Sequence, residues 1–187
     1  MRRRVALLVG ASVVLVVVIG AVLPRLDHVV NEVTLPLRHD DIIRQQAADK
    51  DVDPALIAAV IYAESRFRDQ TSHAGARGLM QLTPKTAAEI ARRSGGTKFV
   101  PADLATPQVN IAYGSWYLAW LLRRYGENEM LAIAAYNAGT GNVDRWIARD
   151  PGMGLGEIPF AETRAYVDKV LRARDAYRRE YRRELGL

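Results

Sequence analysis

No cysteine occurs among the 187 residues. That single absence removes a disulfide-stapled scaffold, a thiol nucleophile, a zinc–thiolate site and a lipid-modified cysteine. Histidine is scarce as well. His28, His39 and His73 lie scattered without ligand-like spacing, so neither a metal site nor a cofactor is expected. A strong surplus of charge is also missing. Arg2, Arg3 and Arg4 supply three of the formal net charge of +5, and the small remainder argues against a nucleic-acid partner. No internal repeat is present. From Asp40 onward there is no sustained alternation of apolar and polar residues, which argues against strands.

What the chain has in abundance is apolar residues, 49% of the total. They include one long uncharged run over residues 5–23. As a helix this run would be about 28 Å long, close to the ~30 Å hydrocarbon core of a bilayer. Arg2–Arg4 precede it, so the positive-inside rule places residues 1–4 in the cytoplasm and the remainder outside, in a periplasm or extracellular space. A cleaved signal peptide is the other reading, but the run exceeds the usual apolar region and Ala21-Val22-Leu23-Pro24 offers no clear small-x-small site. The expected organisation is a transmembrane anchor at 5–23, a linker at 24–39 and one folded domain at 40–187.

Helix punctuation dominates that domain. Asp53-Pro54 reads as N-cap and first helical position for a helix over 54–65. Thr83-Pro84 opens another over 84–93, stopped by Gly95-Gly96. Thr106-Pro107 opens a third reaching Tyr125, with Gly126 just past its end. Asn128 caps a short apolar helix ending near Asn137. Further helices are expected over 40–50, 142–148 and 161–184, the last with a stripe of Tyr166, Val170, Ala173, Tyr177 and Tyr181. The fold class is therefore all-α, six to eight helices behind an N-terminal transmembrane helix.

Four places in this pattern could carry chemistry. Leu56, Val60 and Glu64 form one row of an otherwise apolar helix, so Glu64 sits where the core stripe meets the helix end. Desolvation and the negative end of the helix dipole should both raise its pKa, as a general acid requires. A solvated glutamate at a fraying end is the alternative. The next loop carries Gly75, Gly78, Met80 and Gln81; its glycines permit tight turns, and the Gln81 amide can both donate and accept. Tyr136 and Asn137 close the short apolar helix. They suit a sugar ring, or equally a core tyrosine beside a capping amide. Glu162 and Tyr166 share a face at the start of the last helix, which suits either a site or an ordinary acidic first turn over a core tyrosine.

In combination these strings are specific. Ala-Glu-Ser at 63–65, Gly-Ala-Arg-Gly-Leu-Met-Gln-Leu-Thr-Pro at 75–84, Ala-Tyr-Asn-Ala-Gly at 135–139 and Glu-Thr-Arg-Ala-Tyr-Val at 162–167 resemble, in order and spacing, the catalytic domain of the soluble lytic transglycosylase family, itself akin to goose-type lysozyme. The resemblance covers residues 40–181 and none of the apolar N-terminal run. It implies a lysozyme-like fold acting on peptidoglycan glycan strands, with Glu64 as the sole catalytic carboxylate. It also implies that Ser72, Met80, Gln81, Tyr136, Asn137, Glu162 and Tyr166 line the saccharide cleft, with Tyr166 near Glu64. One departure stands out: some members carry methionine where this chain has Thr83. The reaction implied is cleavage without water, in which the muramoyl C6 hydroxyl attacks the anomeric carbon and leaves a 1,6-anhydro end.

Two other functions fit the same residues. A hydrolytic muramidase would need a second, water-activating carboxylate, with Asp69 the first candidate. A non-catalytic glycan-binding envelope protein would have little reason to keep Glu64. Partners in cell-envelope machinery are possible and unidentified from sequence. The arginine-rich segment from Arg172 to Arg183 reads as a solvated helix face or as a contact for anionic polymers or lipid headgroups.

Overall fold

Asp53 and Pro54 set the boundary on which the rest of the fold is hung. In the computed structural model, which describes residues 35–95 and 100–187, the Asp53 carboxylate accepts from the backbone N–H of Ala55 at 3.0 Å. Helix α2 (Pro54–Ser65) starts there, preceded by α1 (Asp40–Lys50). From Ala55 to Ile61 every residue of α2 is buried. A helix apolar nearly all round and ended by a polar turn belongs at the centre of a domain, and the others arrange themselves about it.

The chain continues through α3 (Pro84–Ser94), a 3₁₀ turn (Pro101–Ala105), α4 (Pro107–Arg124), α5 (Glu129–Ala138), α6 (Thr140–Arg149) and α7 (Ala161–Glu180) to a short α8 (Arg182–Leu185). The expected caps on α3 and α5 are present: Thr83 Oγ1 accepts from Thr86 N–H and Asn128 Oδ1 from Leu131 N–H, each at 3.1 Å. Thr106 makes no side-chain cap, so α4 begins on Pro107 alone. Among the described residues no strand forms, only isolated bridges from Arg77 to Thr71 and to Leu82.

Packing is centred on α2 against α7, with α5 between α7 and α4 and with α1 on α4. Leu37–Leu187 make one compact unit. Tyr177, fully buried on α7, meets Tyr62, Phe67 and Tyr181 edge-on or tilted at centroid distances of 5.7–6.3 Å. A smaller cluster of Leu82, Ala87, Ile90 and Leu104 supports α3, flanked by Tyr113, Trp116, Tyr117 and Tyr136.

The last helix departs from the expected single run over 161–184. It breaks at Tyr181, whose φ of −123° and ψ of 33° are not helical. The break turns α8 back toward α1, where Leu185 is buried along with Tyr181. Burial of two large side chains outweighs one continuous turn. Among the described residues no helix is long and apolar enough to cross a membrane. The anchor expected over 5–23, and the segment 1–4 before it, lie outside the described residues, as does the expected linker up to residue 34.

Candidate active site

The row Leu56–Val60 carries Glu64 to the last turn of α2, half-buried above the fully buried core. From α7, the Tyr166 hydroxyl donates to Glu64 Oε1 at 2.6 Å. One turn further on, Lys169 Nζ donates to the carbonyl of Ala63 at 2.8 Å. Burial pushes the Glu64 carboxyl up to about 7, against the combined pull of the Tyr166 hydrogen bond and the Lys169 charge. Burial is one of the two causes expected from the sequence. Tyr166 is itself raised well above the ordinary tyrosine range by burial and by the Glu64 charge, so it stays a neutral donor.

After α2 the chain turns sharply. Arg66 and Phe67 both take left-handed φ, 51° and 58°, and Phe67 is driven under Tyr177. The loop that follows is held by hydrogen bonds rather than by apolar mass. Ser72 Oγ accepts from Ala76 N–H at 3.1 Å. Gln81 donates its Nε2 to the carbonyls of Gly78 at 2.7 Å and Gln70 at 3.0 Å, which leaves Oε1 as an acceptor. Met80 is pinned from both sides: its N–H donates to Asn110 Oδ1 at 2.8 Å, and its carbonyl accepts from the Tyr136 hydroxyl at 3.0 Å. Asn110 also donates to the carbonyls of Arg77 and Leu104 at 2.9 and 3.0 Å. Every polar atom of this buried amide is thereby used on backbone.

These elements enclose a cleft of ≈ 490 Å³. Glu64 stands on one side with Ser72 and Gln81. Thr83 and Thr86 of α3, Tyr117 of α4, and Tyr136 and Asn137 of α5 complete the wall. Asn137 accepts from the Thr163 hydroxyl of α7 at 2.8 Å, which fixes its amide plane. Tyr117 and Tyr136 meet at 5.5 Å. Hydroxyls, amides and tyrosine faces around one carboxyl form a lining suited to an uncharged polyhydroxylated ring. Glu64 is the only ionisable carboxyl among the described residues that line it. Among the described residues no group of three His, Asp or Glu side chains converges as a metal-binding set would.

Residues 41–154 match the Transglycosylase SLT domain family. The chain belongs to this family. Among its relatives is the soluble lytic murein transglycosylase of Salmonella typhimurium, 35% identical over 162 residues, which cover 83% of this chain and 25% of that protein. Membrane-bound lytic murein transglycosylase C of Salmonella arizonae is 34% identical over 164 residues, covering 74% of this chain and 46% of that protein. An inactive glutamate-to-glutamine mutant of lytic transglycosylase Slt from Pseudomonas aeruginosa superimposes with a TM-score of 0.75 at 33% identity, covering 81% of this chain and 25% of that one. The chain thus spans about a quarter of the length of the soluble relatives it matches.

Within this SLT domain the structure brings Glu64, Ser72, Gln81, Tyr136 and Asn137 to one cleft and hydrogen-bonds Tyr166 to Glu64. Three of the residues expected on the wall are not among its lining residues: Tyr166, which reaches the site through Glu64, and Met80 and Glu162. Met80 is fully buried, because Gly114 lets α4 approach so closely that a Cβ there would lie 2.3 Å from the Met80 sulfur. Met80 therefore contributes its backbone to the site and its side chain to the floor beneath. Glu162 is exposed on the first turn of α7 and is not among the lining residues. Asp69, the candidate second carboxylate, is exposed and also off the wall. Sequence reasoning missed Thr86, Tyr117, Thr163 and Asn110. Only Asn110 left a signal, an amide in the same row as the buried Gly114, Leu118 and Leu121.

Proposed function

We propose that this chain is a membrane-anchored lytic transglycosylase. It would cleave the β-1,4 bond between N-acetylmuramoyl and N-acetylglucosaminyl residues of peptidoglycan and leave 1,6-anhydromuramoyl ends. The observation that carries the reading is the solitary Glu64, with its carboxyl near 7 and Tyr166 bonded to it. A carboxyl balanced between its two forms at neutral pH can serve as acid and then as base within one cycle.

The steps follow from that balance. Glu64 gives its proton to the glycosidic oxygen as the bond to the anomeric carbon breaks. The acetamido group of the substrate itself stabilises the positive charge that develops. The muramoyl C6 hydroxyl then attacks the anomeric carbon and its proton passes to Glu64. One carbon–oxygen bond is broken and one formed, a proton moves from O6 to the leaving oxygen by way of Glu64, and no water is consumed. Intramolecular attack brings a high effective molarity, so a second carboxylate to activate water is unnecessary. The Tyr166 hydroxyl stabilises the carboxylate between the two proton transfers.

Product analysis tests the reaction. Fragments released from purified peptidoglycan should be lighter than hydrolytic ones by about 18 mass units, the water that intramolecular attack spares. They should resist borohydride and take up no label from heavy-oxygen water. Reducible, labelled ends as the main product would replace this reading by a muramidase. The anchoring part of the proposal is supported by Arg2–Arg4 followed by the uncharged run at 5–23. The full chain should sediment with membranes and stay there through high-salt and carbonate washes. A mature N-terminus mapped just after residue 23 would show a cleaved leader instead.

A further inference from the structure

Helix α7 grips the end of α2 at two points. Tyr166 holds the Glu64 carboxyl, and three residues on, one helical turn, Lys169 holds the carbonyl of Ala63. That carbonyl belongs to the last turn of α2, where a helix leaves its carbonyls without intrahelical donors. The ammonium also lies 5.5 Å from the centre of the Tyr62 ring, so the Lys169 stem runs along that turn instead of extending into water. A lysine at a helix–helix seam is ordinarily a solvated rim residue. This one is half-buried and committed to the backbone atom next to the catalytic side chain.

We propose that Lys169 is a positioning residue for Glu64: it fixes the last turn of α2 against α7 and supplies the cation that the Glu64 carboxylate faces once its proton has gone to the substrate. The other titratable groups around Glu64 are tyrosines, Tyr166 of α7 and Tyr136 of α5, both raised well above their ordinary range by burial and so uncharged, with Tyr117 of α4 beside Tyr136 on the cleft wall. Ser72 and Gln81 of the loop and Thr83 and Thr86 of α3 carry no charge. Arg66, on the chain leaving α2, acts on Lys169, whose ammonium is lowered by burial first and by Arg66 second. Among the described residues, Lys169 is the charge that acts on Glu64, and it acts to favour the carboxylate. With Nζ donating to Ala63, its role is electrostatic and structural, not proton transfer to the glycan.

This inference rests on Glu64 being the acid and base of the proposed reaction, and its test separates the two. Three variants of the full chain divide the functions of Lys169. Lys169→Met removes donor and charge, Lys169→Gln keeps a donor without charge, and Lys169→Arg keeps both. Carbon-13 labelling of glutamate carboxyls, with Glu64→Gln to identify the signal, reads the Glu64 titration without need of turnover. Removing an adjacent cation destabilises the carboxylate, so the midpoint should rise by about 0.5 in pH or more in the Met and Gln variants and stay near the wild type in Arg. The descending limb of kcat/KM against pH should move upward in the same two variants and be restored by Arg. A Glu64 midpoint unchanged in both Met and Gln overturns the assignment, even if the rate falls. If the wild type releases no anhydro ends, the reaction is refuted while the titration still decides the role of Lys169.

Discussion

Glu64→Gln should reduce fragment release from peptidoglycan by at least ~10²–10⁴-fold, the share of a rate that a positioned acid and base commonly supplies. Glutamine keeps the shape of the side chain and can still meet the Tyr166 hydroxyl, but it cannot give up a proton and take one back. The same substitution should have an opposite, pH-dependent effect on stability. In the folded wild type the carboxyl keeps its proton to about 7, against an ordinary value of 4.5. The unfolded chain loses that proton sooner. Stability contributed by the protonated group is therefore complete below about 4.5 and is lost as pH rises through about 7. The glutamine variant has no such loss. At pH 8 it should be the more stable protein by roughly 2–3 kcal/mol, and near pH 4 the two should be alike. Denaturant midpoints across that range, beside a turnover assay, check both halves. Retention of most activity would remove Glu64 from the mechanism. A stability difference independent of pH would mean that its carboxyl is not raised by burial.

Asn110→Ala should be the most damaging substitution for the fold around the cleft. Three backbone groups depend on that amide: the N–H of Met80 and the carbonyls of Arg77 and Leu104. Asn110 is fully buried, so water does not readily replace it. An unsatisfied buried group costs about 1–3 kcal/mol, and with some relaxation the three together should cost about 3–5 kcal/mol. Urea unfolding should show this as a lower midpoint with little change in slope. Gly78→Ala should act on the same clamp from the other side. Gly78 has a φ of +74°, and its Cβ would fall 2.2 Å from Asn110 Nδ2. Activity should fall in both variants, because Gln81 and the Tyr136 bond are carried on the backbone that Asn110 holds. A loss under ~1 kcal/mol in Asn110→Ala would show that the loop finds other partners.

The sequence disclosed those features whose causes are local. Asp53-Pro54, Thr83-Pro84 and Asn128 mark helix starts because a cap and the groups it satisfies lie within three residues of each other. The Leu56–Val60 row put Glu64 on the apolar face, since one helix suffices to predict that face, but it left open a solvated glutamate at a fraying end, and only the structure shows it half-buried. Features set by distant partners were not. The break at Tyr181 exists because Leu185 is buried beside α1, more than a hundred residues earlier in the chain. Met80 lies beneath the cleft because Gly114 gives it room, and nothing near residue 80 says so. Tyr166 meets Glu64 across 102 positions, and only the resemblance to a known family anticipated it.

The ties at the two ends of α2 have a mechanical consequence. At its start, Asp53 caps the helix with one oxygen and pairs with Arg178 of α7 through the other, at 2.8 Å. At its end, Tyr166 and Lys169 of the same helix hold Glu64 and Ala63. A rod fastened to its neighbour at both ends, with an aromatic cluster along it, resists sliding and rolling. The Glu64 side chain is thus mounted on a braced helix. Any widening of the cleft would fall to the other lining elements, where α3 rests on its own small apolar cluster and Thr83, Thr86 and Tyr117 line the gap. Under the proposed function, reactivity and tolerance of substrate shape would fall to different parts of one small domain.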